Sequence, residues 1–145
     1  MGQYYYICNL DKKQYLHPHK FGDGLKLLEF GCSAGGTMTG LAILLADGNG
    51  RGGGDLYSDN PIIGSWKGNR VVISGDYADA GTFPEEAHGM NIHMSTDCSE
   101  WEDISAKVIV AMCDDQWLRE DLEKRTSWKT HGPVADEAFV EIEGI

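Results

Sequence analysis

A glycine-rich loop between apolar segments constrains this chain more than any other feature. Five glycines fall within residues 48–54, interrupted by Arg51 and followed by Asp55. Glycine adopts backbone conformations that other residues avoid and lets a ligand approach the main chain closely. A loop of this composition on a rigid base fits two interpretations equally well, a ligand-facing loop and a mobile surface loop with a solvated arginine. The 75–79 segment, Gly-Asp-Tyr-Ala-Asp, follows an apolar run and has the same character.

The length of 145 residues fits one domain with a substantial core. No apolar run approaches the roughly 18 residues that suggest a membrane span, and the N-terminus lacks the basic flank and apolar core of a signal peptide. We therefore expect a cytoplasmic protein with no membrane partner. The four cysteines show no paired spacing, which is typical of reduced, packed thiols.

The formal net charge of −11 lies almost entirely in the second half of the chain. Residues 1–80 carry 7 Lys and Arg against 8 Asp and Glu, whereas residues 81–145 carry 5 against 15. Acidic surfaces repel phosphates, so this balance disfavours direct nucleic-acid binding and favours a basic partner. We expect a single domain, 1–145, with a glycine-rich, ligand-facing half and an acidic, helical half.

Alternating apolar residues predict a mostly antiparallel sheet. Residues 3–9 and 14–16 have the composition of an opening hairpin. Residues 61–66 and 70–74 flank a Lys-Gly-Asn turn and predict a second hairpin, whose later strand we expect to be central. The tail at 140–143 alternates and predicts an edge strand.

Helical spacing completes an α+β fold class, with helices packed on one face of the sheet. Residues 37–45 predict a largely buried helix, and 25–30 fits either a strand or a short helix. Two further helices are predicted near 101–112 and 116–125. The second contains pairs of oppositely charged residues spaced four apart. The 81–96 segment gives no assignment.

The 31–35 segment, Gly-Cys-Ser-Ala-Gly, matches the short pattern of a serine nucleophile elbow. Ser33 would be the nucleophile, with its base drawn from His88, His93 or His131. Too little chain precedes it for the α/β-hydrolase fold, so a helix-capping role for Ser33 is the favoured interpretation. The helix start at Thr37 also offers unpaired backbone N–H groups to an anion, although the lysine of a P-loop is missing.

The sequence supports a metal site less well than it supports a binding loop for a small molecule. The glycine loop matches a calcium-loop count only in part, because Arg51 and Ser58 stand at ligand positions. His17 and His19 are two residues apart and could share a metal with a third donor such as Asp23 or His93, but exposed loop histidines are the favoured interpretation. We expect neither a metal nor a cofactor.

The predicted ligand contacts combine basic side chains for an anion, aspartates for polar groups and aromatic rings for stacking. We predict no catalytic residue. The predicted ligand-binding residues are Lys20, Arg51, Asp55, Trp66, Arg70, Asp76, Tyr77 and Asp79.

Three stretches, residues 1–24, 48–55 and 75–79, together resemble a family of small proteins of bacteria and their phages. The likeness rests on the opening Met-Gly-Gln-Tyr-Tyr, the Gly-Asn-Gly-Arg-Gly-Gly-Gly-Asp loop and the Gly-Asp-Tyr-Ala-Asp segment. It covers about the first 80 residues and implies no activity. A phage origin would favour a counter-defence protein that sequesters a nucleotide signal or blocks a host enzyme.

These observations support three functional hypotheses. The first is a non-enzymatic protein that captures a phosphorylated or nucleotide-like small molecule. A small serine hydrolase using Ser33 is the last of the three. The second is an acidic interaction module that inhibits a basic or nucleic-acid-binding partner, and a homo-oligomer is compatible with it. Its acidic residues are Glu85, Glu86, Asp114, Asp115, Glu120 and Asp121.

Overall fold

The computed structural model describes residues 3–77 and 101–125 and contains a four-stranded sheet of order β3-β1-β2-β4. The central strand β1 pairs antiparallel with β2 and β3, whereas β2 pairs parallel with β4. The α+β class is confirmed, with a mixed sheet in place of an antiparallel one. The strands are β1 (Tyr5–Asn9), β2 (Gln14–Leu16), β3 (Val71–Gly75) and β4 (Glu102–Asp103).

The opening hairpin is confirmed, and the buried Asn9 closes it. Its Oδ1 accepts the N–H groups of Asp11 and Lys12, each at 2.9 Å. Its Nδ2 donates to Asn69 Oδ1 at 3.0 Å, which ties the turn to the residues before β3. Asparagine often organises turns in this way, by bonding backbone groups two or three residues ahead.

The second predicted hairpin is wrong in its first arm. Residues 61–66 form successive turns, and the N–H groups of Gly64 and Trp66 bond the carbonyls of Ile43 and Leu44. Pro61 has no N–H for a ladder, and Gly64 has a φ of 73°, which an extended strand does not accommodate. The later arm forms β3, which is an edge strand rather than the central one.

The predicted helices form, except that the one expected near 101–112 begins at Ser105, because Glu102 and Asp103 form β4. The ambiguous 25–30 segment becomes a short helix. Among the described helices, none has the length and apolarity needed to cross a bilayer. The helix from Thr37 is less buried than expected, because Ala42 and Leu45 are exposed. The helices are α1 (Leu27–Gly31), α2 (Thr37–Leu45), α3 (Ser105–Met112) and α4 (Gln116–Lys124), with a 3-10 helix at Pro18–Phe21.

One main core joins the sheet to all four helices. Ile7 of β1 belongs to this cluster, and each helix contributes buried side chains to it, among them Phe30, Leu44, Ile109 and Leu122. A smaller cluster of Tyr6, Cys8 and Trp101 forms separately from the main core. The main core therefore draws on both the glycine-rich and the acidic half. The predicted strand at 140–143 and the unassigned 81–96 segment lie outside the described residues.

Candidate functional site

A groove of about 600 Å³ opens where the glycine-rich loop, α2 and the start of α4 meet. Ala42 and Ile43 of α2 contribute apolar wall. The loop contributes Asp55 and Tyr57, and the polar and aromatic side chains on the α4 side are Asp115 and Trp117. We call this the acidic groove.

Hydrogen bonds hold the loop side of the acidic groove in a defined shape. Asn49 Oδ1 accepts the Leu56 N–H at 2.9 Å, and Asn49 Nδ2 donates to the Leu56 carbonyl. Within the loop, the Arg51 N–H donates to Asp55 Oδ2 at 2.7 Å. Because Leu56 is buried in the core, these bonds anchor the loop to the body of the protein.

Helix α4 presents an aromatic side chain to the other side of the groove. Asp115 caps the helix, and its Oδ1 accepts the Leu118 N–H at 3.1 Å. Leu118 and Leu122, four residues apart, bury one stripe of the helix. Trp117 lies beside that stripe, and its side chain remains 64% exposed. Tyr57, on the loop, is 66% exposed. Two large aromatic side chains therefore border the groove in contact with solvent.

The charged side chains that line the described part of the groove are all acidic. Among the described residues that line it, Asp55 and Asp115 are the charged side chains, and neither lysine nor arginine contributes. One oxygen of each carboxylate already accepts a backbone N–H group. The opening attracts cations and disfavours anions.

Two of the predicted ligand contacts are structural. Lys20 is buried, and its Nζ lies 3.1 Å from Asp103 Oδ2. Trp66 has no exposed surface, and its Nε1 donates to Gln14 Oε1 at 2.8 Å. Lys20 therefore serves as an internal ion-pair partner, and Trp66 offers no ring face to a ligand.

Arg70 and Asp76 flank β3 at opposite ends. The Arg70 guanidinium lies 2.9 Å from Asp11 Oδ1, and the Arg70 backbone and side-chain N–H groups lower the pKa of Asp11. Asp76 Oδ1 accepts the Tyr4 N–H at 3.0 Å and closes the far end of the β1–β3 pair. The five residues of β3 separate the two positions by six residue steps, which is about 20 Å in an extended strand. They do not converge on one ligand.

The remaining predicted contacts are dispersed. Arg51 and Asp55 lie together in the loop, but only Asp55 lines the groove. Tyr77 is 64% exposed beyond β3, next to the Asp76 that closes the sheet. Asp79 lies outside the described residues.

The start of α2 is occupied by a carboxylate of the chain itself. Asp23 Oδ2 accepts the Thr37 N–H at 2.8 Å and the Thr37 hydroxyl at 2.6 Å. This side chain takes the position that an exogenous anion would need. Ser33 Oγ accepts the Met38 N–H at 3.4 Å, in the capping role that the sequence favours. The proposed bases are outside the described part of the chain: His88, His93 and His131.

The histidine pair is a local structural unit. His17 precedes the 3-10 helix, and its Nδ1 accepts the His19 N–H at 3.3 Å. Within residues 3–77 and 101–125, no group of three or more His, Cys, Asp or Glu side chains is placed to hold a metal ion.

The acidic face proposed from the sequence is partly engaged internally. Asp114 accepts the Ser58 hydroxyl, and Asp121 lies 2.8 Å from Arg125. Glu120 accepts from Gln116 at 3.1 Å, whereas Asp115 borders the acidic groove. Glu85 and Glu86 lie outside the described ranges.

Sequence reasoning missed the two aromatic side chains that characterise the groove. Tyr57 follows the buried Leu56, and Trp117 precedes the buried Leu118. A signal for Trp117 was present, because a helix whose apolar stripe is set by Leu118 and Leu122 leaves it off that stripe. Nothing in the pattern around Tyr57 indicated that it would face α4.

Comparisons with protein-family models, with curated proteins and with solved structures return no match to this chain. The function is therefore inferred from the site itself.

Proposed function

We propose that this protein is an interaction module whose acidic groove binds a basic segment of a partner protein. One observation carries the proposal. The groove combines the exposed rings of Tyr57 and Trp117 with the carboxylates of Asp55 and Asp115, and its described lining contains no basic side chain. Aromatic rings and carboxylates together form the chemistry that recognises arginine and lysine.

Each part of a basic side chain has a matching surface in the groove. A guanidinium group stacks on an aromatic face more readily than an ammonium group does, and it forms paired hydrogen bonds with carboxylates. The methylene stem of the same residue can pack on Ala42 and Ile43. Arginine-containing segments are therefore the favoured partners.

A phosphorylated ligand fits the groove poorly. Its phosphate would face Asp55 and Asp115 with no lysine or arginine among the described lining residues. The carboxylates would instead repel it. If the chain is a phage protein, one of the two sources in the family that it resembles, a module of this kind would act by covering a basic surface of a host protein.

A labelled peptide in which arginine alternates with glycine tests this proposal by fluorescence anisotropy. We expect saturable binding that weakens as salt is added, because the attraction is screened. Trp117→Ala should lower the affinity on the order of tenfold, which corresponds to about 1.4 kcal/mol, since truncating an aromatic anchor typically costs more than about 1 kcal/mol. Tyr77→Ala is the matched control, because both side chains are 64% exposed and Tyr77 does not line the groove.

Equal affinities for the wild-type protein and Trp117→Ala would contradict the proposal. A larger loss of affinity for Tyr77→Ala than for Trp117→Ala would show that the peptide binds at the end of β3 instead of the groove. A glutamate-for-arginine version of the peptide should not bind.

A further inference from the structure

A second cleft lies on the other side of the segment between Leu56 and Trp66. Its volume is about 400 Å³. Ile63 of this segment faces the acidic groove, whereas the adjacent Ile62 faces the second cleft. The side chains that matter for its chemistry are Lys12, Gln14, Ile62, Ile104, Lys107 and Val110. We call it the basic cleft.

The basic cleft has the opposite charge to the acidic groove. Its described lining includes the two lysines and no aspartate or glutamate. This is notable in a chain whose formal net charge is −11. Glu102 lies just outside this lining and pairs with Lys107, so these three charges leave a balance of +1 at the cleft. Charges farther away than about 8 Å are largely screened at physiological ionic strength.

The two ammonium groups come from separate elements and remain accessible. Lys12, in the β1–β2 turn, donates through Nζ to the Ser65 carbonyl, an uncharged acceptor, and within residues 3–77 and 101–125 no carboxylate pairs with it. Lys107, on α3, lies 2.7 Å from Glu102 Oε2 in an exposed ion pair. Exposed ion pairs contribute little stability, so an incoming anion can compete for Lys107.

Glu102 keeps a partner when an anion engages Lys107. Its other oxygen, Oε1, accepts the Gln14 side-chain N–H at 3.1 Å. Gln14 is in turn fixed by the indole of the buried Trp66, which donates to its Oε1 at 2.8 Å. The wall of the cleft is therefore held from the core, independently of Lys107.

We propose that the basic cleft binds an oxyanion, a phosphomonoester or a carboxylate, carried on a planar or apolar body. Lys12 and Lys107 would bind the anionic oxygens, since lysine is a common point-charge ligand for phosphate. The body of the ligand would lie on the partly exposed Ile62 and Val110. This site lies apart from the acidic groove and does not depend on the function proposed there.

Calorimetric titration of the full-length protein with adenosine monophosphate, adenosine and benzoate tests the site. We expect the monophosphate to bind saturably and adenosine not to bind. Lys12→Ala should weaken binding about tenfold, the effect of losing a charge-assisted hydrogen bond. Lys67→Ala is the control, because this exposed lysine pairs with Asp47 at 3.3 Å and does not line the cleft.

The alternative outcomes are distinct. Binding of benzoate with the same dependence on Lys12 would support the site and assign it to carboxylates. Equal binding of adenosine and its monophosphate, or an unchanged affinity in Lys12→Ala, would overturn the proposal. The backbone N–H of Lys12 bonds Asn9 regardless of its side chain, so this variant should keep its turn. Lys107→Gln provides a second loss-of-charge variant.

Discussion

The Asp23 carboxylate connects three parts of the fold. Its Oδ2 accepts both the backbone and the hydroxyl donor of Thr37, and its Oδ1 lies 3.1 Å from Arg125 Nη1. The carboxylate is only 4% exposed, and Arg125 also pairs with Asp121 at 2.8 Å. One buried acid therefore caps α2 and fixes the end of α4, the two helices that border the acidic groove.

Asp23→Ala should destabilise the protein by about 2–4 kcal/mol, because it removes a helix cap and leaves Arg125 without its buried partner. Asp23→Asn retains an acceptor for Thr37, so it should lower the free energy of unfolding by less than Asp23→Ala does. Asp47→Ala removes an exposed carboxylate and should change stability by less than about 0.5 kcal/mol. Urea unfolding measures all three. A loss for Asp23→Ala no greater than for Asp47→Ala would refute this role.

Gly40 and Gly52 should respond differently to the same substitution. A Cβ at Gly40 would lie 3.0 Å from carbon atoms of both Phe21 and Val108, in a tightly packed core. Overpacking costs about 1–3 kcal/mol, and the higher helix propensity of alanine offsets about 1 kcal/mol of it, so Gly40→Ala should cost up to about 2 kcal/mol. A Cβ at Gly52 meets no atom within 4 Å, so Gly52→Ala should be neutral or slightly stabilising. Thermal unfolding of both variants compares them, and similar melting temperatures would contradict the packing described at Gly40.

At the scale of elements, the glycine-rich loop depends on one side chain for its shape. Asn49→Ala removes both bonds to Leu56 and should cost about 1–2 kcal/mol. It should also accelerate proteolytic cleavage within residues 48–54. Asn49→Asp keeps the acceptor but loses the donor, and should give a smaller effect. Unchanged cleavage of Asn49→Ala would show that the glycines, rather than Asn49, set the shape of the loop.

The helices were predictable because their periodicity is local. Leu118 and Leu122 repeat at four residues, and their helix forms where that spacing indicates. The 61–66 arm was not predictable from its apolar composition, because its structure depends on hydrogen bonds to Ile43 and Leu44, about twenty residues earlier. The position of β3 at the sheet edge likewise depends on which strands β1 selects as partners.

The fold places some of the predicted ligand contacts at the groove and others elsewhere. The glycine loop does border a groove, and Asp55 lines it. Lys20 and Trp66 carried plausible chemistry for a ligand but are buried in the fold. Burial of a lysine follows from a distant partner, here Asp103, and sequence spacing gives no information about such a pairing.

For the whole molecule, we expect stability to fall in alkaline solution. Burial raises the pKa of the Cys8 thiol from 9.0 to about 12, and burial, with a smaller effect of Asp103, raises the pKa of Tyr6 from 10.0 to about 12. At pH values between the ordinary pKa of each group and about 12, the folded chain keeps the protons of Cys8 and Tyr6 that the unfolded chain has released. The free energy of unfolding should therefore be unaffected by these groups below about pH 9 and decline as the pH rises toward 12.

Urea unfolding at several pH values measures this decline. Cys8→Ala removes one of the two groups, so its stability should fall less steeply with pH than that of the wild-type protein. Parallel pH dependence for the two proteins would show that Cys8 does not contribute. The comparison uses slopes, so a uniform loss of stability in the variant does not affect it.

The most direct test of the central claim is to map the arginine–glycine peptide onto the protein by NMR. If the acidic groove is the binding surface, the amide signals of Asp55 and Tyr57 and the indole signal of Trp117 should shift during the titration. The signals of Lys12 and Lys107 should stay in place, because the peptide and the basic cleft carry the same charge. Shifts confined to acidic residues away from the groove, or an unshifted Trp117 indole at saturation, would contradict the account.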